Sequence, residues 1–139
     1  MWTFRNRVFE PGTAAAMVYV ITFVPTDQHY VGKRFLTRKV RNQQLARSFD
    51  QYWSSSPVVQ RLRDQYADDA LWKRRVLHAV PNRGLANYLE ARAQIDLRVL
   101  ESDRYLNGVI QVRTGSQHIL KLASVETDAD LWSELMNNR

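Results

Sequence analysis

AAAMVYVITFVPTDQHYVGKRF, residues 14–35, is the stretch on which the fold turns. Val18, Tyr19, Val20, Ile21, Thr22, Phe23 and Val24 are all residues that suit a pleated, half-buried surface. PTDQ (25–28) is a turn cluster, and HYVGKRF (29–35) resumes the strand character. Two β runs with a short polar connection read as an antiparallel hairpin. Gly32 is the odd residue in it. A glycine packs nothing and adds backbone entropy, so inside a strand it marks a turn, a bulge or a point of close backbone approach.

Outward from the hairpin, residues 1–13 read as an N-terminal arm ending at Pro11-Gly12. LTRKVRNQQLARSF (36–49) is polar and basic and reads as a loop followed by a short helix. Ser56 and Pro57 suit the N-cap and first turn of a helix over 57–67. ALWKRRVLHAV (70–80) reads as a strand. One of its faces carries Leu71, Lys73, Arg75, Leu77 and Ala79, the other Trp72, Arg74, Val76, His78 and Val80, and the alternation does not decide which is buried. LANYLEARAQIDLRVL (85–100) is the clearest helix, with an apolar stripe of Leu85, Tyr88, Leu89, Ile95 and Val99. A loop (102–108), a short strand (109–113) and a final helix after Thr127 complete the reading.

Composition narrows the functions open to the chain. At 139 residues and 45% hydrophobic content, one domain with a real core is expected. There are no cysteines, which excludes a disulfide framework, a cysteine nucleophile and a thiolate zinc site. No apolar run approaches the ~18 residues of a membrane span, and the N-terminus lacks the apolar core of a signal peptide. A cytoplasmic protein without membrane contact is expected. The net charge of +6 favours a polyanionic partner. Residues 33–63 hold eight of the cations (33, 34, 38, 39, 41, 47, 61, 63) against Asp50 alone. The basic surface therefore grows out of the hairpin.

Taken singly, the polar residues are unremarkable. A tyrosine on a strand is usually core filling, a glutamate on a helix is usually solvated, and Asn107 before Gly108 suits a turn. Taken in order, they resemble the GIY-YIG nuclease superfamily. VYV (18–20) is similar to its first motif and YVG (30–32) to its second, with ten residues between Tyr19 and Tyr30. Glu90 in NYLEARAQID matches the helix-borne metal-binding glutamate, and Asn107 in YLNG the later asparagine. YWSSS (52–56) is similar to the Y-x-G-S-S segment of phage-type members, the Seg-like homing endonucleases. Val18 and Ser54 stand where those patterns have glycine, and Arg34 stands where they have Lys or His.

The resemblance implies a mixed α/β (α+β) fold, with a small central antiparallel sheet of three strands flanked by helices. It divides the chain into an arm (1–16), a nuclease domain (17–113) and a C-terminal extension (114–139). It implies hydrolysis of DNA, or of RNA, with Mg²⁺ or Mn²⁺ on Glu90, in a bacterial or phage-infected host cell. Tyr19 would be the base, activated by Lys33 and Arg34. Tyr30, Tyr52 and an arginine, Arg38 or Arg41, would hold the phosphate, with Ser55 beside them. Asn107 would orient the Glu90 region or a phosphate, and Gly32 would let the phosphate backbone pass. Arg34 cannot accept a proton, because guanidinium stays charged in proteins; its charge can still favour a nearby phenolate. A catalytically degenerate nucleic-acid-binding protein of the same fold is the alternative, and Trp2, Trp53, Trp72 and Trp132 leave room for partner contacts. Site choice would fall to the arm, the tail, a homodimer or a protein partner.

Overall fold

The computed structural model describes residues 1–139. The chain runs β1 (Trp2–Phe4), β2 (Arg7–Val8), β3 (Ala16–Phe23), β4 (Gln28–Phe35), β5 (Thr37–Val40), β6 (Gln43–Ala46), α1 (Pro57–Gln65), β7 (Trp72–Val80), α2 (Arg83–Asp96), α3 (Ser116–Ile119), β8 (Glu126–Thr127) and α4 (Ala129–Asn137). The main sheet is ordered β2-β1-β7-β3-β4, and β8 pairs with β7. It is a mixed α+β fold, and the sheet has six strands where three were expected. The extra strands come from both chain ends. Trp2 and Thr3 lie parallel to Arg74 and Arg75, so the expected N-terminal arm supplies sheet. No helix is long and apolar enough to cross a membrane.

β3 is buried along its whole length, as its nearly continuous apolar run, interrupted only by Thr22, requires. Ala16, Val18 and Val20 point into one core with Leu85, Leu89, Ala93 and Leu97 around α2. Met17, Tyr19, Ile21 and Phe23 point into a second core with Trp2, Val59 and Trp72. Each fully buried aliphatic side chain here contributes about 1.5–3 kcal/mol. β7 serves both cores through a bulge. Val18 pairs with His78 and Tyr19 with Val76, which leaves Leu77 unpaired between them. Trp72 and Val76 thus face the second core, and Leu77 and Val80 the first. That shift of phase is why simple alternation could not assign a buried face.

Three other expectations are corrected. Residues 36–49 form no helix; their main part is a separate two-stranded ribbon, β5–β6. Residues 109–113 form no strand; the short strand of the C-terminal region is β8, which pairs with β7. Ile95 is 59% exposed, so it lies off the buried stripe of α2, which instead carries Glu90 and Gln94 inward.

Candidate active site

Every residue of the site is positioned by β4, the edge strand, and by what packs over it. β3 and β4 pair with Tyr19 opposite Gly32. Tyr19 is 1% exposed and its ring meets those of Trp2, Tyr30 and Tyr52 at 5.1, 6.3 and 5.7 Å. The Tyr19 and Tyr52 hydroxyls share a 3.2 Å hydrogen bond. A Cβ on Gly32 would stand 2.6 Å from the Tyr19 hydroxyl, 2.7 Å from its Cζ and 2.8 Å from Tyr30 Cε1. Gly32 is therefore absent of side chain because two tyrosine rings cross over it.

The loop bearing Tyr52 is clamped from below. Arg74, buried on β7, donates from Nη1 to the carbonyls of Asp50 and Tyr52, both at 2.8 Å, and stacks against Trp2 and Trp53. Ser54 has a φ of 82°, in the left-handed region where the motif has glycine. Its Oγ accepts from the Ser56 amide at 3.0 Å, and Ser56 in turn caps α1.

The carboxylate arrives from the other side of the strand. Glu90 is 8% exposed, and its Oε1 accepts from Lys33 Nζ at 3.1 Å. Burial raises the Glu90 pKa, while Lys33 pulls it back toward ionisation. One turn along α2, Gln94 Nε2 donates to the Val31 carbonyl at 2.9 Å. That bond fixes the amide's orientation and leaves Gln94 Oε1 buried without a partner. Asn107 acts as a substitute strand: Nδ2 donates to the Val31 carbonyl at 2.8 Å and Oδ1 accepts from the Val31 amide at 3.0 Å. It holds the edge of β4 in place and is fully engaged in doing so.

Tyr19, Tyr30, Lys33, Ser55, Glu90 and Gln94 line one cleft of about 320 Å³. Arg34 lies beside it, with its guanidinium 4.1 Å above the Tyr52 ring and Nη2 donating to the Ser48 carbonyl at 2.8 Å. Arg38 and Arg41 are not in the cleft; both are exposed on the β5–β6 ribbon. A second cleft of about 420 Å³, lined by His78, Arg92 and Trp132, sits on the α2–α4 side and includes none of these residues.

The electrostatics differ from expectation at Tyr19. Burial pushes its phenol well above the usual value of 10, and the neighbouring Tyr52 raises it further. A hydrogen bond from Ser54 opposes the rise, and the Arg34 charge interacts with Tyr19 as well as with Tyr52, but burial prevails; Lys33 is turned toward Glu90. Burial also raises Tyr30; Ser54 opposes this and the Glu90 charge adds to it. The donor set suits a hard cation. No group of three or more His, Cys, Asp or Glu is present, but Mg²⁺ sites use few protein carboxylates and several waters. The carboxylate of Glu90 and the orphaned oxygen of Gln94 would supply protein ligation, direct or through water.

Sequence reasoning overlooked Gln94, Arg74 and Trp2 as parts of this site. Gln94 had a legible signal, since position i+4 from Glu90 shares its helix face. Nothing local marked Trp2 or Arg74, whose roles depend on distant pairing.

Residues 2–110 match the family model described as "Putative endonuclease segE, GIY-YIG domain". The chain belongs to this GIY-YIG endonuclease domain family. The family's substrate class is nucleic acid, and its members in general depend on a divalent metal ion. No curated protein and no solved structure matches the chain.

Proposed function

We propose that this chain is a Mg²⁺- or Mn²⁺-dependent endonuclease that hydrolyses DNA phosphodiester bonds in the cleft at the edge of β4. The observation that carries this reading is the meeting of Glu90 with Tyr19 and Tyr30 across that edge, with an unpartnered Gln94 oxygen alongside. A divalent cation bound there would neutralise charge on the phosphate oxygens and the leaving group.

The chain's own residues do the rest. Glu90 and Gln94 would hold the cation's shell, and Asn107 fixes the strand beneath them. Tyr30 and Ser55 line the cleft and donate to the scissile phosphate. Tyr19 is a neutral phenol in the resting protein, so it cannot be a standing base. It instead accepts the water's proton while handing its own to Tyr52, along the 3.2 Å hydroxyl pair. Tyr52 is half-buried and releases a proton outward, with the Arg34 charge above its ring. Arg34 thus serves the outer end of the relay, a role a guanidinium can fill without losing a proton.

The alternative is a domain of the same fold that binds DNA and does not cut. It is favoured by one observation: burial holds the Tyr19 phenol well above its usual pKa, so it stays protonated. Supercoiled plasmid incubated with the protein and Mg²⁺, with and without EDTA, separates the two. Nicked or linear product that EDTA prevents supports the nuclease. Salt-sensitive binding with intact plasmid at every metal concentration supports the binder.

A further inference from the structure

The β5–β6 ribbon is built unlike the rest of the chain. Thr37 pairs with Ala46, Arg38 with Leu45, Lys39 with Gln44 and Val40 with Gln43. Arg41 and Asn42 close it with φ of 50° and 65°, the two left-handed residues of a tight hairpin turn. It pairs with no other strand, and every residue from 38 to 46 is exposed. A two-stranded ribbon standing alone in water is marginal at best. This one is nevertheless anchored firmly at its base. Leu36 is buried, the Arg47 amide donates to its carbonyl at 2.8 Å, and Arg83 Nη2 donates to the Thr37 carbonyl at 2.8 Å.

Its surface has a particular chemistry. Arg38, Lys39 and Arg41 are its cations, and no carboxylate occurs from residue 35 to 49. Opposite residues share a face, so Arg38, Val40, Gln43 and Leu45 line one side, and Lys39 and Gln44 the other. Arg, Asn and Gln are the side chains whose paired groups match guanine and adenine edges, and small apolar side chains suit the thymine methyl. Four strand residues and a turn reach about 15 Å at ~3.4 Å per residue. The major groove of B-DNA, about 12 Å wide and 8.5 Å deep, admits a two-stranded ribbon, whereas that of A-form RNA is too narrow.

Position completes the argument. The ribbon is inserted between Arg34 and Tyr52, which stack on each other beside the cleft. Arg34 also holds the Ser48 carbonyl on the returning strand side. Whatever the ribbon grips therefore lies at a fixed offset from the candidate scissile phosphate.

We infer that the β5–β6 ribbon is the sequence-reading element of this protein, laid in the major groove of duplex DNA beside the cut. This inference rests on the DNA-endonuclease reading and places site choice in neither the arm nor the tail. The face of Arg38, Val40, Gln43 and Leu45 meets the base edges, with Gln43 and the turn residue Asn42 reading them, while Lys39 and Arg41 contact phosphates.

The test selects sites from a randomised DNA duplex pool in EDTA, so that cutting plays no part. The full chain, a Gln43→Ala glutamine variant and an Arg38→Ala/Lys39→Ala/Arg41→Ala variant are compared, each checked for an unchanged thermal melt. The wild type should enrich a motif. The Gln43 variant should lose preference at the motif position that Gln43 reads, while keeping its salt slope. The triple variant should bind with a log–log salt slope smaller by up to about 2.7, at ~0.9 per phosphate contact. The inference is overturned if the glutamine variant enriches the same motif, if the wild type binds duplex DNA without enriching any, or if duplex RNA competes equally. In each of those cases a protein that still nicks plasmid keeps the endonuclease reading. A wild type that neither binds nor cuts DNA removes both.

Discussion

Replacing Gly32 by alanine tests the packing on which the tyrosine cluster depends. The new Cβ would fall 2.6–2.8 Å from atoms of Tyr19 and Tyr30, against an ordinary contact of at least 3.4 Å. The shortfall is about 0.6–0.8 Å on each ring. Tyr19 has no room to yield, since it is 1% exposed and flanked by Trp2 and Tyr52. Overpacking of this kind costs about 1–3 kcal/mol, and loss of glycine's backbone freedom returns about 0.5–1 kcal/mol. The net destabilisation should be about 1–2 kcal/mol, a fall in Tm of about 3–8 °C. Misplacing a reacting group by about 1 Å costs ~10²-fold, so plasmid nicking should slow by about 10–100-fold. In a Tyr19→Phe background the same change should add little to the kinetic loss, because the displaced hydroxyl is already gone. The reasoning is refuted by a Gly32→Ala protein with undiminished Tm. A raised Tm with weakened DNA binding would instead favour glycine as a gap for the phosphate backbone.

Three further changes probe other parts of the account. Ser54→Gly relieves a left-handed φ of 82° and should raise stability by about 0.5–1 kcal/mol in urea unfolding; a lower midpoint would show that the Ser54 hydroxyl matters more than its backbone. Asn107→Ala leaves the Val31 amide without its partner and should cost about 1–3 kcal/mol, with hydrogen exchange at Val31 accelerating while β3 stays protected. Partial burial, and then the Arg92 charge, lower the pKa of the half-buried His78 from 6.5 to about 4, so it binds a proton less readily folded than unfolded. Stability should therefore fall as pH drops from about 6.5 toward 4, by about 3 kcal/mol in all. His78→Gln should flatten that acid limb of the Tm profile, and an unchanged limb would assign it to other groups.

The central hairpin was legible because its signal is local: a β-rich run, a turn cluster and a second run within 22 residues, 14–35. Glu90 was legible only through order and spacing, since α2 offers no periodic reason to bury a carboxylate. What could not be read depends on long-range pairing. Trp2 enters the sheet by pairing in parallel with residues more than seventy positions away, and no local pattern encodes that partner. The bulge at Leu77 shifts the phase of β7 midway, so a single alternating pattern had to fail. The β5–β6 ribbon was misread because its side chains face water on both sides, which removes the apolar alternation that normally marks a strand. Its turn residues, Arg41 and Asn42, adopt left-handed conformations without the Asn-Gly or Asp-Gly signature.

The central claim is that Glu90 holds the metal that makes this fold a nuclease. The most direct test runs wild type and Glu90→Gln side by side on supercoiled plasmid with Mg²⁺, measuring nicking and DNA binding in the same reactions. The substitution keeps the shape and removes the charge that attracts the cation. Nicking should disappear while DNA affinity remains or improves, since a negative charge near the phosphates is gone. Equal nicking by the two proteins would contradict the claim.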